Sequence, residues 1–465
     1  MERLITFGRL GAKRAARIHQ QESGTKKASE KSLWSYYAGV DEIYHSKWTA
    51  NVSASLSSFR EAVDHFWPNG YPIKLIQVAG TSGKGSTCKF LQSGLSYYGK
   101  SGCYVKPHVF DYAERFTVND GQVGHEEILA TWYEQVKPFV IKRVAEDRFP
   151  LDHPEVSLLI ALLLFERHHL QWAAIETGIG GRYDPVSTLD VVATVITNVG
   201  RDHEDVLGSE HWQRALEKAG VSRPGVPLIL GDDNPQTVEV IEAYCRDTGT
   251  PLIKVIGTDI KKIESALGRL ARSKQGNMFD GSRHQLQNAV TAIKTIQTLV
   301  KSASIDELLP RLLKTEFVGR FWRIEEDVYA DVAHNPSKTS ALAKEIQAKF
   351  PRKRKVFVIG ITGKRNPVEV LAPLVPQAKA IVVTSAGYKG QDPEAVYSIL
   401  REAYPALAMH LSTKPKLTLK VAKSLRSKGE PIIFTGSTYM IDQALNPDDR
   451  LRHLNGVYGW REVRK

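Results

Sequence analysis

The chain of 465 residues is poor in cysteine. Its three cysteines, Cys88, Cys103 and Cys245, are widely separated and odd in number. They form neither a disulfide framework nor a metal knuckle, so a reducing compartment is expected. Long apolar runs are missing too. The longest, "SLLIALLLF" from Ser157 to Phe165, falls well short of the roughly 18 residues a membrane span needs and reads as a buried helix. The N-terminus has no apolar core of the secretory kind. Its arginine-bearing arm is faintly transit-like and reads better as a disordered or docked basic tail. No internal repeat or low-complexity tract is evident. These absences set membranes aside as partners and make the cytoplasm the expected location.

Positive charge is plentiful. The formal net charge is +12, with local clusters at the N-terminal arm and at "PRKRK" from Pro351 to Lys355. Such an excess fits either a nucleic-acid binder or an enzyme that collects small anions. No zinc finger, RNA-recognition signature or basic stripe interleaved with aromatics accompanies it, so nucleic acid is the weaker expectation. Apolar residues at 42% and charged residues at 25% are ordinary for a globular protein, and the length suggests two to three domains.

From about residue 73, short β-branched runs alternate with amphipathic stretches. "IKLIQVAG", "GCYV", "WAAIE", "VVATVIT" and "PLILG" read as strands. Helices are expected over 84–98, 126–146, 155–168 and 210–219, and within 235–247 and 284–301. A second series begins near Arg320, with strands "VYADVA", "VFVIG", "AIVVT" and "PIIFTG" and helices at about 336–350, 392–403 and 415–427. This alternation predicts an α/β protein with parallel sheets covered by helices on both faces. The break near "KTEFVGRFW" divides it into domains at 1–316 and 317–465.

Three places carry chemistry. In "VAGTSGKGST" from Val78 to Thr87, glycines let successive N–H groups point at phosphate oxygens, and the next helix offers its positive end. Gly80, Thr81, Ser82, Gly83, Lys84, Gly85, Ser86 and Thr87 are the candidate nucleotide contacts. Ser86 or Thr87 could ligate Mg2+, because hard cations prefer oxygen. Glu176 closes the strand "WAAIE" before a glycine-rich turn, at the edge where open α/β sheets bind ligands; it reads as a metal ligand or as an ion-paired strand end. His203 follows another strand among Asp202, Glu204 and Asp205, either as a ligand or as a capping group. Lys218 alone reads as a solvated helix lysine.

Taken in order, "VAGTSGKGST", "YVKPHVFDYAERFTVNDG", "IETGIGGRYD", "TNVGRDHEDVLG", "LEKAGVSRPGVP", "HQLQNA", "GRF" and "DVAHNP" resemble the folylpolyglutamate synthase and dihydrofolate synthase family, a branch of the Mur ligase superfamily. The resemblance runs from about residue 73 to the C-terminus. It implies a P-loop ATPase domain with a parallel sheet, followed by a smaller Rossmann-like α/β domain. It also implies an ATP- and Mg2+-dependent, ADP-forming ligase that activates a carboxylate as an acyl phosphate for attack by an amino acid. The expected partners are anionic small molecules, a folate-like acid and glutamate, and the expected state is a monomer.

The resemblance gives Lys84 a phosphate contact and assigns Ser86, Glu176 and His203 to the metal. Lys218 matches a lysine that is carbamylated in the family and so helps to hold magnesium. Asn288 and Arg320 match nucleotide-contacting positions, Arg320 near the terminal phosphate. Asp331 and His334 match residues that face ATP and the incoming amino acid. Lys84, Lys218, Arg320 and His334 are thus the catalytic candidates. Because Arg320 lies beyond the break between domains, closure is expected to complete the site. Lys106, His108 and Arg115 fall to the acid substrate.

The pattern also departs from the family. Lys106 stands where the family has a serine that can contact a metal. Either it binds a substrate anion, or one metal site is altered or lost. A relaxed surface lysine is the plainer alternative. Ser82, "RYDPVSTLD", "GITGKRNP" and the valine of "DVAHNP" are further departures. A ligase acting on a different acid or amino acid therefore stays open, as does a noncatalytic nucleotide- or nucleic-acid-binding protein.

Overall fold

The computed structural model describes residues 52–446 apart from Asp120, 149–150 and 272–282, together with Val40 and Ile43. The basic N-terminal arm lies outside the described residues. Two compact units divide the chain. The first comprises residues up to His108, Tyr112–Lys274 and Gln287–Thr315; the second takes Val109–Asp111, Gln275–Leu286 and everything from Glu316 onward.

Among the described residues the first unit holds an eight-stranded sheet, with strands β1 (Lys74–Ala79), β2 (Ser101–Tyr104), β3 (Phe116–Val118), β4 (Gly121–Gln122), β5 (Trp172–Glu176), β6 (Ala193–Ile196), β7 (Leu228–Leu230) and β8 (Leu252–Lys254). The spatial order is β4-β3-β2-β5-β1-β6-β7-β8. From β2 to β8 every pairing is parallel. The β2–β3–β4 edge is antiparallel, which a reading of parallel sheets alone does not anticipate. β3 and β4 are three and two residues long, too short for alternation to register.

Central strands are mostly apolar and almost wholly buried, as expected of a sheet covered on both faces. In β5 every residue is buried. The run Ser157–Phe165 is fully buried within the helix His153–Arg167. No described helix is long and apolar enough to cross a membrane. The helical stretch expected over 126–146 is present as His125–Ala130 and Lys137–Ala145, joined by a π-helical turn at Thr131–Val136.

The second unit carries strands β9 (Trp322–Glu325), β10 (Val328–Ala330), β11 (Lys355–Ile359), β12 (Ala378–Val383), β13 (Ala408–Leu411) and β14 (Ile432–Thr435). Their order is β13-β12-β11-β14-β10-β9, parallel except for β9 against β10. Alternate residues feed two cores. Phe357, Ile359, Ile381 and Ile433 pack on one face, and Val356, Val358, Val382 and Phe434 on the other. The "PRKRK" cluster is not a uniform basic patch: Lys355 is buried, and its Nζ donates to the Phe350 carbonyl at 2.8 Å.

Candidate active site

Parallel pairing brings the carboxyl ends of β2, β5, β1 and β6 to one edge. Chain direction therefore gathers Lys106, Glu176, the glycine loop and His203.

The loop after β1 leads into the helix Lys84–Leu95 through Gly83, whose φ of 78° is left-handed. A Cβ there would collide with the Asn288 amide, so Gly83 serves both the turn and the approach of Asn288. No side chain caps this helix, which leaves its first N–H groups available to an anion. The loop is pinned from the side by residues after β6. Ser82 N–H donates to Asn198 Oδ1 at 3.0 Å, and Asn198 Nδ2 donates to Ser82 Oγ at 3.0 Å. Thr197 Oγ1 donates to the Ser82 carbonyl at 2.6 Å, and Gly200 N–H to Thr81 Oγ1 at 2.8 Å. Lys84 Nζ reaches back to the Gly80 carbonyl at 3.0 Å.

Gly85 accounts for the delayed serine of the loop. A Cβ on it would lie 3.0 Å from Glu176 Oε2, so the missing side chain makes room for the carboxylate. Glu176 is buried, and its Oε2 accepts from the backbone N–H of Lys106 at 2.9 Å. Ser86 and Thr87 are buried in the same turn, and Thr87 Oγ1 has no hydrogen-bond partner. Among the described residues no three His, Cys, Asp or Glu side chains converge as a ready-made metal cage. One carboxylate with a neighbouring hydroxyl nevertheless fits Mg2+, which usually completes its shell with water and substrate phosphate oxygens.

His203 caps the short helix Glu204–Leu207 with a left-handed φ of 52°. Its Nε2 lies 3.9 Å from Asp202 Oδ1, and its side chain is half-exposed. The loop carrying it is fixed by buried Arg214, which donates to the carbonyls of Gly200, Gly208 and Ser209 at 3.0, 3.0 and 2.6 Å.

Lys218 overturns its sequence reading as a solvated lysine. In the last turn of the helix His211–Ala219 it is 2% exposed. Burial, then the nearby Lys84 charge, brings its amine from an ordinary 10.5 to about 7, with Asp202 pulling the other way. Near neutrality much of it is therefore uncharged.

Lys106 is no relaxed surface lysine either. Its side chain is 17% exposed, with Nζ 3.8 Å from Asp184 Oδ2 and 5.6 Å from the centre of the Tyr104 ring. Burial pulls its pKa down, but Asp184, Tyr104 and Glu176 outweigh that and hold it above the ordinary value. His108 and Arg115 are buried and engage each other, Arg115 Nε donating to His108 Nδ1 at 3.0 Å. Arg115 also reaches the Tyr104 hydroxyl at 3.5 Å.

The remaining candidates lie in the second unit, around the carboxyl end of β10. Asp331 accepts from Phe321 N–H and Ala333 N–H, each at 2.8 Å, and so ties the start of β9 to the end of β10. Arg320 Nη1 donates to the Gly319 carbonyl at 3.2 Å. His334 directs Nδ1 to the Val332 carbonyl at 2.9 Å, which requires the proton there. Its Nε2 then accepts from Lys338 Nζ at 3.1 Å. "HNP" has a local logic: Asn335 caps the helix Pro336–Lys349, accepting from Lys338 N–H at 2.9 Å, with Pro336 in its first turn.

Asp184, Asn198 and Arg214 are absent from the sequence-derived site. An "Asp-Pro" pair signals only a turn, and an asparagine or arginine that binds backbone has no sequence signature.

Residues 319–438 match the family model described as Mur ligase, glutamate ligase domain. Among curated proteins, a dihydrofolate synthase/folylpolyglutamate synthase of Bacillus subtilis is 27% identical over 432 residues, covering 88% of this chain and 98% of that protein. Among solved structures, Mycobacterium tuberculosis folylpolyglutamate synthase complexed with ADP is similar at a TM-score of 0.76 and 21% identity, over 88% of this chain and 97% of that one. The Yersinia pestis bifunctional folylpolyglutamate synthase/dihydrofolate synthase complexed with AMPPNP and Mn ion is similar at 0.72 and 22%, over 88% and 96%. At such identities the structural likeness speaks for the fold. Almost the whole length of these relatives is matched, so the chain is similar throughout to folylpolyglutamate synthase/dihydrofolate synthases, and its residues 319–438 match the Mur ligase glutamate ligase domain.

Proposed function

We propose that the protein is an ATP-dependent, ADP-forming ligase of the cytoplasm that joins glutamate to the carboxylate of a folate or dihydropteroate. The observation that carries the reading is the meeting of Lys84, Glu176 and Lys218 at one sheet edge: a cation on a glycine loop, a carboxylate held against Gly85 and an amine near 7.

In this reading the substrate carboxylate oxygen attacks the γ-phosphorus of ATP, the bond to the β,γ-bridging oxygen breaks, and ADP leaves. The amine of glutamate then attacks the acyl carbon. Inorganic phosphate departs, the amine loses a proton and an amide remains. The first step concentrates negative charge, and Lys84 with the loop N–H groups is fixed in advance to receive it, which is electrostatic and positional catalysis. Bound Mg2+ neutralises phosphate charge; Glu176, Ser86 and His203 are the residues that would hold it. The neutral Lys218 amine can condense with CO2, releasing a proton and leaving a carbamate that adds an oxygen ligand. Asn288 is assigned to the nucleotide and Arg320 to its terminal phosphate, with Asp331 and His334 on the nucleotide and amino acid. Tyr104, braced by His108 and Arg115, supports Lys106.

The test is phosphate release by the purified protein with each component omitted in turn. Release that requires ATP, glutamate and a folate together supports the reading. Equal release with an unrelated acid replaces folate as the substrate. Salt-sensitive nucleic-acid binding without ATP turnover overturns the reading altogether.

A further inference from the structure

Two carboxylates stand just beyond β5, Glu176 at its last position and Asp184 at the head of the turn Pro185–Thr188. Lys106 engages both. Its backbone N–H donates to Glu176 Oε2 at 2.9 Å, and its Nζ stands 3.8 Å from Asp184 Oδ2. Asp184 is fixed in place, with Oδ2 accepting from Gly178 N–H at 2.7 Å and Oδ1 from Val186 N–H at 3.0 Å. The ammonium is fixed as well, lying within cation–π reach of Tyr104 and passing over Gly178, where a Cβ would come within 3.3 Å of Nζ. A cluster of two carboxylates at a sheet edge is where a hard cation would settle. Here the cation is covalently part of the chain, and an ammonium both fails as a metal ligand and repels a metal ion brought to the same carboxylates.

We propose that Lys106 is a built-in cation that occupies the place of a divalent ion between Glu176 and Asp184, so that the protein operates with one metal ion per chain. The proposal rests on the ligase reading above. Glu176 then serves a single ion on its glycine-loop side, while on its other side it feels the Lys106 ammonium independently of metal concentration. Lys106 acts here as a positioning and charge-setting residue. A substrate anchor would instead use its donors on the acid.

The experiment counts Mn2+ bound to the full chain in the presence of a non-hydrolysable ATP analogue and bicarbonate, by electron paramagnetic resonance and by calorimetry. One ion per chain is expected for the native protein and for Lys106→Arg. Two are expected for Lys106→Ser, which removes the repulsion and supplies a hydroxyl oxygen. Lys106→Ala, which only removes the repulsion, should tighten a second Mn2+ at least about tenfold, one decade of affinity. Thermal melts establish that each variant is folded. Two ions on the native protein overturn the proposal, as does a folded Lys106→Ser that still holds one. A tenfold rise in KM for the acid with stoichiometry unchanged assigns Lys106 to substrate anchoring instead, and also overturns it. Absence of any nucleotide-dependent Mn2+ binding defeats the ligase reading itself, a result distinct from a wrong count.

Discussion

A lysine in the last turn of an amphipathic helix ordinarily extends its charge into water, whereas Lys218 is buried with Lys84 nearby and is brought to about 7. Such an amine costs stability whenever it is protonated. The unfolded chain holds the proton up to about 10.5 and the folded chain only to about 7, so stability from this group rises with pH across that window and the penalty is complete below it. Lys218→Met should therefore raise the melting temperature near pH 6 in CO2-free buffer, with the gain fading toward pH 10. The same variant should lose amide-forming turnover by about a hundredfold or more, the size of losing one preorganised electrostatic group. Unchanged turnover would strip Lys218 of its chemical role, and partial rescue of Lys218→Ala by short carboxylic acids would identify the missing group as a carboxylate. Gly85 is the complementary case, conspicuous in sequence for delaying the serine. Gly85→Ala places a methyl 3.0 Å from Glu176 Oε2 and should weaken Mn2+ binding roughly tenfold with little change in melting temperature.

The elements explain why some of this was legible and some was not. Strands such as "WAAIE" and "VFVIG" announce themselves because burial on both faces makes them mostly apolar; the glycine loop announces itself because few residues tolerate its turn. Strands β3 and β4, at one end of the first sheet, escape through brevity, being three and two residues long. Supporting polar residues escape as well, because their partners are backbone atoms brought near only by folding. Asn198 is one of these. It clamps Ser82 by side-chain and main-chain bonds, holding the loop open for phosphate before any ligand arrives. Asn198→Ala should raise KM for ATP about tenfold with a smaller fall in kcat, as expected when preorganisation of a binding loop is lost. Arg214→Ala removes three bonds from a buried guanidinium to loop carbonyls. Charge-assisted bonds of that kind are worth about 1.5–3 kcal/mol each, so a melting temperature lowered by several degrees is expected, together with weaker Mn2+ binding as the His203 loop loosens.

At the scale of the whole molecule, the net charge of +12 has to be assigned to a cause. A nucleic-acid surface would need cations presented together, yet in "PRKRK" Lys355 is buried on the Phe350 carbonyl, and Arg354 Nη2 donates to the Ala378 carbonyl at 2.6 Å. In the first unit Lys84 stands on the glycine loop at the uncapped start of its helix, an arrangement that favours small polyanions. The two causes differ in their response to salt. Counterion release makes nucleic-acid affinity fall by several powers of ten over a modest rise in ionic strength. Attraction of a small anion into a partly buried site is screened more gently, because the contacts lie well within a Debye length. Raising NaCl from about 0.05 M to about 0.5 M should therefore increase KM for ATP and for the acid only severalfold and leave kcat nearly constant, since in the proposed reading Lys84 meets the transferring phosphate at contact distance, well inside a Debye length. Steady-state kinetics across that range, with single-stranded and duplex oligonucleotide binding measured in parallel, separate the two. Oligonucleotide binding that persists at physiological salt would move the excess charge from substrate capture to nucleic acid.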